Sequence, residues 1–301
     1  MAVIEVKNLE KHYGNTKAVQ GICFDVEKGE VFGFLGPNGA GKTTTIRCIM
    51  DFVRPTAGNI SVLELDTQAN SEELKGKIGY LSGDVRLYEN WTGEEHFEFI
   101  QNIRGKSKSL LKLAKDFDYN PKIKVKNLSS GNKQKLGLIL AFMSEPEVLI
   151  LDEPTTALDP LLQNAVYDVI KSFSEKGRTV FMSSHNLAEV ERVCSRVGII
   201  KQGKMITTEN IQNLKGKKIH VVNVSFAGKF SKSSFKGDGI SIQKEVPGGL
   251  VLNVKGDINQ ILREISKYEV KDVEINHASL EDIFLEYYER KENVSNSLAN
   301  N

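Results

Sequence analysis

The sequence predicts an α/β fold: a parallel core sheet with an antiparallel β edge and an inserted helical subdomain, followed by a small C-terminal α+β module. Three observations carry this prediction. An apolar run at residues 31–35 leads directly into the glycine-rich stretch Gly36-Pro37-Asn38-Gly39-Ala40-Gly41-Lys42-Thr43. Apolar strand-like segments alternate with helical ones over residues 136–200, the mark of a parallel sheet. Between about Thr92 and Leu128 the spacing of apolar residues turns helical in a background rich in Lys and Glu.

Taken in order, residues 3–6 and 18–26 alternate apolar and polar positions on either side of the turn-like Gly14-Asn15 and read as strands. The helical insert spans about residues 85–138, with Phe97, Phe99, Ile100, Ile103, Leu110, Leu111, Leu113 and Phe117 expected on its buried faces. The sheet resumes with strands at 148–151, 179–182 and 197–200. Past Lys215 the character changes. Residues 217–226 and 239–254 read as strands, the latter turning at Pro247-Gly248-Gly249, and are followed by an amphipathic helix at 257–268, a strand at 270–275 and a last helix at 280–288. The expected domains are therefore 2–215 and 217–289. The tail 290–301 lacks apolar periodicity and is expected to fray. No internal repeat is present.

Composition narrows the function classes. In 301 residues there are 40 Lys+Arg against 39 Asp+Glu, and the balance holds by region, with 28 basic and 27 acidic residues before Lys217 and 12 of each from Lys217 on. Duplex binding normally needs a visible cationic excess, so a nucleic-acid partner is not expected. The longest apolar run, residues 136–143, is far short of the roughly 18 to 20 residues that cross a bilayer. Glu5 and Lys7 interrupt any signal-peptide core, and Cys23, Cys48 and Cys194 suggest neither a disulfide frame nor a metal knuckle. A cytoplasmic location is expected.

The glycine-rich stretch has the form G-x-x-x-x-G-K-[ST] between a strand and a helix, the context in which backbone N–H groups wrap a polyphosphate. Lys42 adds charge at the β/γ oxygens, Thr43 offers a hydroxyl to Mg²⁺, and Thr44 continues the helix start beside the nucleotide. A second element, Val148-Leu149-Ile150-Leu151-Asp152-Glu153-Pro154, delivers two carboxylates at the C-terminal end of a strand, where parallel sheets bind ligands. Asp152 is expected to hold the Mg²⁺ water shell and Glu153 to accept a proton from, or orient, the attacking water. The competing reading makes either one the cap of a helix started by Pro154.

These two elements, the segment Leu128-Ser129-Ser130-Gly131-Asn132-Lys133-Gln134-Lys135, the stretch Thr156-Ala157-Leu158-Asp159-Pro160 and Ser183-Ser184-His185 together resemble the ATP-binding cassette (ABC) ATPases over about residues 2–215. The resemblance implies ATP and Mg²⁺ as cofactors and a head-to-tail dimer, homodimeric in the simplest case, with each ATP between one subunit's phosphate loop and the other's Ser129 and Gly131. It further implies that Tyr13 stacks on adenine, that His185 hydrogen-bonds the γ-phosphate, and that Asp159 joins the sites across the dimer.

Three positions depart from the family pattern, one of them Asn132, which stands where glutamine is common. Ser130 replaces the first of two glycines and its Cβ resists a positive φ, so a shifted phosphate contact is expected. Asp84, closing Gly79-Tyr80-Leu81-Ser82-Gly83-Asp84, stands where a glutamine usually touches Mg²⁺ and relays nucleotide state to the helical insert. At about 4 Å from a phosphate charge a carboxylate would cost on the order of 4 kcal/mol at an effective dielectric of 20. Asp84 is therefore expected either to bind the metal directly or to turn toward Arg86.

The C-terminal module, with Ala278-Ser279-Leu280-Glu281-Asp282-Ile283-Phe284-Leu285-Glu286-Tyr287-Tyr288, resembles the extension of cassette ATPases serving antibiotic, multidrug and polysaccharide exporters. The resemblance thus implies the energising subunit of an exporter, attached to the cytoplasmic face through a separate permease. A soluble cassette ATPase acting on ribosomes or DNA is the alternative. It is disfavoured because ribosome-acting members usually join two cassettes in one chain, and DNA-repair members insert long coiled coils. An unrelated P-loop kinase or GTPase would leave the Ser129 segment and the Asp-Glu pair unexplained.

Overall fold

The computed structural model describes residues 1–216, 219–235, 237 and 239–277, and the chain divides into two compact units between Asn210 and Ile211. In the first, β1 (Ala2–Tyr13) and β2 (Thr16–Glu27) form an antiparallel hairpin. With β4 (Ala57–Val62) and β5 (Leu65–Asp66) they make a sheet of order β2-β1-β4-β5. β1 runs well beyond the alternation at residues 3–6 because register shifts follow Val6, and Asn8 adopts φ 49. A bulge of this kind breaks the alternation while the ladder continues.

The second sheet has order β10-β9-β3-β8-β7-β6. β3 (Val31–Leu35), β6 (Ile78–Leu81), β7 (Val148–Asp152), β8 (Thr179–Ser184) and β9 (Arg196–Lys201) are parallel, and β10 (Lys204–Asn210) closes one edge antiparallel. Every residue of β3, β7 and β8 is buried, as expected for strands covered on both faces. Phe24 of β2 stacks on Phe32 of β3 and on Phe181 of β8, ring centroids 5.7 Å apart in each case, so aromatic packing joins the two sheets. The parallel order places the loops after β3, β6, β7 and β8 along a single edge.

Helices α1 (Lys42–Ile49) and α2 (Ser71–Lys77) precede the insert. The insert is built from α3 (Gly93–Arg104), α4 (Leu110–Asp116) and α5 (Ser130–Phe142). Thr92 and Glu95 form a reciprocal capping box at the start of α3. At its other end Arg104 donates to the carbonyls of Ile78, at 3.1 Å, and of Lys75, fastening the insert to β6 and α2. Phe97, Leu113 and Phe117 are buried as expected, but Phe99, Ile103 and Leu111 are 43%, 65% and 86% exposed. On a helix turning about 100° per residue, Phe99 lies about 160° and Ile103 about 120° around the axis from Phe97. Only one stripe of α3 therefore packs inward.

α6 (Pro160–Glu175) and α7 (Leu187–Val193) complete the unit. In the second unit, α8 (Ile211–Gly216) precedes an antiparallel sheet of order β12-β13-β11-β14, formed by β11 (Ile219–Phe226), β12 (Ile240–Val246), β13 (Gly249–Lys255) and β14 (Val270–His277). α9 (Ile258–Ile265) buries Ile261 and Ile265 in a core with Val222, Val224, Leu250, Leu252 and Phe235. It is shorter than the expected 257–268, starting after the Asp257 cap. The expected helix at 280–288 and the tail from Arg290 lie outside the described residues. No helix among the described residues is long and apolar enough to cross a membrane.

Candidate functional site

The loop after β3 is shaped by its glycines. Gly41 has φ 110, a conformation L side chains rarely adopt, and a Cβ there would lie 2.6 Å from the Ala18 carbonyl oxygen. Gly36 and Ala40 are buried, while Pro37, Asn38 and Gly39 are exposed at the crest. α1 begins at Lys42, with Thr43 exposed and Thr44 half-buried in its first turn. The Lys42 ammonium is buried. It donates to the carbonyls of Gly36 at 2.6 Å and Pro37 at 3.3 Å, and lies 3.2 Å from Glu153 Oε1.

At the end of β7, Asp152 is fully buried; its Oδ1 accepts from Ser183 Oγ at 2.5 Å, and Oδ2 has no hydrogen-bond partner. Glu153 follows with φ 51, uncommon for a non-glycine residue and a local strain that its surroundings must hold. Its N–H donates to Ser183 Oγ at 3.1 Å. Gln134 of α5, buried, donates through Nε2 to the carbonyls of Glu153 at 3.3 Å and Pro154 at 2.9 Å. The carboxylate bridges two groups: Lys42 on Oε1 and, on Oε2, His185 Nδ1 at 2.7 Å. No helix starts at Pro154; the next begins at Pro160, capped by Asp159, which accepts from Leu162 N–H at 3.0 Å.

Lys42, Asp152, Glu153 and His185, named from separate stretches of sequence, thus meet at one edge of the sheet. Ser129 caps α5, accepting from Asn132 N–H at 3.3 Å. A Cβ at Gly131 would meet only Ala157, its carbonyl oxygen 2.9 Å away, so this glycine admits the loop after Glu153. Ser130 is the first residue of α5 and has no positive φ, so its Cβ puts no strain on the backbone. Tyr13, at the hairpin end, is 45% exposed, with Lys11 Nζ 5.0 Å from its ring centroid. Asp84 takes the outward course: its carboxylate accepts from Arg86 Nε at 2.9 Å, and both side chains are largely exposed. The neighbour that approaches Asp152 is Gly83, where a Cβ would lie 3.2 Å from Oδ2.

The ABC transporter family model matches residues 19–156. The uncharacterized ABC transporter ATP-binding protein MJ1023 of Methanocaldococcus jannaschii is 33% identical over 295 residues, 94% of this chain and 98% of that protein. The chain belongs to the ATP-binding proteins of ABC transporters. The bacitracin transport ATP-binding protein BcrA of Enterococcus faecalis is 33% identical over 294 residues, 94% of this ABC protein and 95% of BcrA. A solved ATP-binding subunit of an ABC transporter, 29% identical, superposes with a TM-score of 0.66 over 71% of this chain and 92% of that one. As a member of this family the chain is an ATPase with the P-loop cassette fold.

Gln134, Ser183 and Gly83 take parts in this ABC site that their sequence neighbourhoods did not reveal. Ser183 stood inside a recognised motif, and Gly83 beside a position singled out for its departure. Gln134 stood inside the quoted segment 128–135, but no role was assigned to it, because its partners lie 19 and 20 residues away.

Proposed function

We propose that this ABC ATPase is the energising subunit of an exporter, working as a dimer that encloses two ATP molecules and drives a separate membrane permease. The observation that carries the reading is the meeting of Lys42, Asp152, Glu153 and His185 at the carboxyl edge of the sheet. The names of relatives support its direction: besides BcrA, the linearmycin resistance ATP-binding protein LnrL of Bacillus subtilis is 38% identical over 211 residues. The Nod factor export ATP-binding protein I of Burkholderia orbicola is 34% identical over 214.

The residues fit a Mg²⁺ ion. Asp152 Oδ2 is buried and unpartnered, and the missing side chain of Gly83 leaves space beside it. Asp152 and the Thr43 hydroxyl would hold the ion, which when bound offsets the charge of the phosphate oxygens. Around it, the loop N–H groups and Lys42 cradle the β- and γ-phosphates, the ammonium exchanging its hold on the Gly36 and Pro37 carbonyls for phosphate oxygens. Glu153 orients the water and takes its proton, and His185 binds the γ-phosphate while fixing the Glu153 carboxylate through Nδ1. Tyr13 stacks on the adenine. Ser129 and Gly131 complete the partner subunit's site, and closure of the dimer moves the permease through the helical insert.

Purification of the tagged protein from solubilised membranes tests this. A polytopic membrane protein that co-purifies and stimulates ATP hydrolysis is the expected result. Co-sedimenting ribosomes without such a partner would overturn the exporter reading.

A further inference from the structure

We propose that Glu189 is a positioning residue for hydrolysis, its buried carboxylate clamping the loop that carries Glu153 and Asp159 to the strand end that carries His185; the inference rests on the reading of Glu153 and His185 given above. Glu189 lies in α7 and is 3% exposed. Its Oε1 accepts from Thr155 Oγ1 at 2.8 Å, and its Oε2 from Ser184 Oγ at 2.5 Å. Thr155 stands two residues after Glu153, and Ser184 immediately precedes His185.

The Ser184 hydroxyl does more than donate. It accepts from the N–H of Asn186 at 2.9 Å, so the residues on both sides of His185 are pinned by one oxygen, and Glu189 anchors that oxygen. Since His185 Nδ1 meets Glu153 Oε2 at 2.7 Å, the contacts close a ring from Glu153 through Thr155, Glu189, Ser184 and His185 back to Glu153. Neither imidazole nor carboxylate can shift without straining a bond elsewhere in that ring.

A purely packing role fits this position poorly. Val190 and Val193 beside it are buried and apolar, and a carboxylate in the same place carries a desolvation cost that an apolar side chain avoids. Burial pushes the Glu189 carboxyl above its ordinary range, an effect opposed by the two hydroxyl donors. What the carboxylate supplies in return is two directed bonds to two loops, and hydrogen bonds to a charged acceptor are stronger than neutral ones.

The test is ATP hydrolysis by the full chain, measured in steady state and in single turnover. Glu189→Gln is expected to lower kcat by about tenfold with KM for ATP within about twofold of the parent, because geometry is lost while the phosphate loop is untouched. In a His185→Ala background the ring is already open, and the same substitution is expected to cost less than about twofold. Unchanged kcat in Glu189→Gln, or an equal loss in both backgrounds, would overturn the clamp. If Glu189→Gln does not fold, Thr155→Val and Ser184→Ala decide: each should lower kcat about threefold at constant KM, and parent-like rates in both would overturn it. Glu153→Gln and His185→Ala alone report on the underlying reading. Parent-like turnover in those two rejects that reading, whereas turnover in them that is strongly lowered but still measurable, with a fully active Glu189→Gln, rejects the clamp alone.

Discussion

The phosphate loop and the loop after β7 stand at the same edge of the sheet and are built in opposite ways. The first takes its turn from contiguous residues, Gly41 supplying the left-handed conformation and Lys42 reaching carbonyls five and six residues away, with outside backbone bonds only from Ser184 and Gly203. The second is held from outside. Glu153, at φ 51, has its N–H on Ser183 of β8 and its carbonyl taking Gln134 of α5 together with the Thr156 N–H of its own turn. A site that must bind a constant anion can be local, while one that must respond to its surroundings is better tied to several elements. On the function proposed above, the second loop is the responsive half.

Four substitutions would break or sharpen this contrast. The largest effect is expected for Glu153→Gln, which should retain ATP binding while turnover falls by roughly 10²- to 10⁴-fold, the range of general base catalysis. Phosphate release and size-exclusion chromatography with ATP should show an inactive, ATP-locked dimer; undiminished hydrolysis would remove Glu153 from its role. Lys42→Ala should act on affinity, weakening ATP binding by about 10- to 100-fold in equilibrium dialysis. A variant that binds ATP as tightly as the parent would show that Lys42 does not hold the phosphates.

Gln134→Leu removes both donors to the turn after β7. It should lower kcat by about tenfold, leave ATP affinity near the parent value, and reduce stability by about 1 to 3 kcal/mol in urea unfolding. A fall in affinity with kcat intact would mean that the two loops do not divide the work as described. The smallest effect is expected for Ser130→Gly. Because Ser130 opens α5 with no positive φ, restoring a glycine should change hydrolysis by less than about twofold and stability by less than about 1 kcal/mol.

Legibility in the sequence followed the same division. β3, β7 and β8 were readable as continuous apolar runs because both of their faces are covered, and the phosphate loop was readable because all its parts are contiguous. The end of β1 was not, since the bulge at Asn8 breaks the alternation on which strands are recognised. Phe99, Ile103 and Leu111 were expected inside because they are apolar; which stripe of a short helix packs inward depends on neighbours that local composition does not name. Asp84 was left with two courses open, the metal or Arg86, and its pairing with Arg86 is decided by side-chain direction.

By itself the sequence determined which residues are proposed to carry the chemistry: a lysine and threonine on a glycine-wrapped anion loop, two carboxylates at a strand end, and a histidine at the end of another. The loop and the two carboxylates were read from contiguous residues and apolar runs, and the histidine from the family resemblance. Only the tertiary structure decided how they are held. The orphaned oxygen of Asp152 beside Gly83, the strained turn at Glu153 gripped by Gln134 and Ser183, and the ring closed by Glu189 all join residues far apart in the chain. Hydrogen bonds of that kind depend on distances of a few tenths of an ångström, which packing of the whole unit sets and no local pattern encodes.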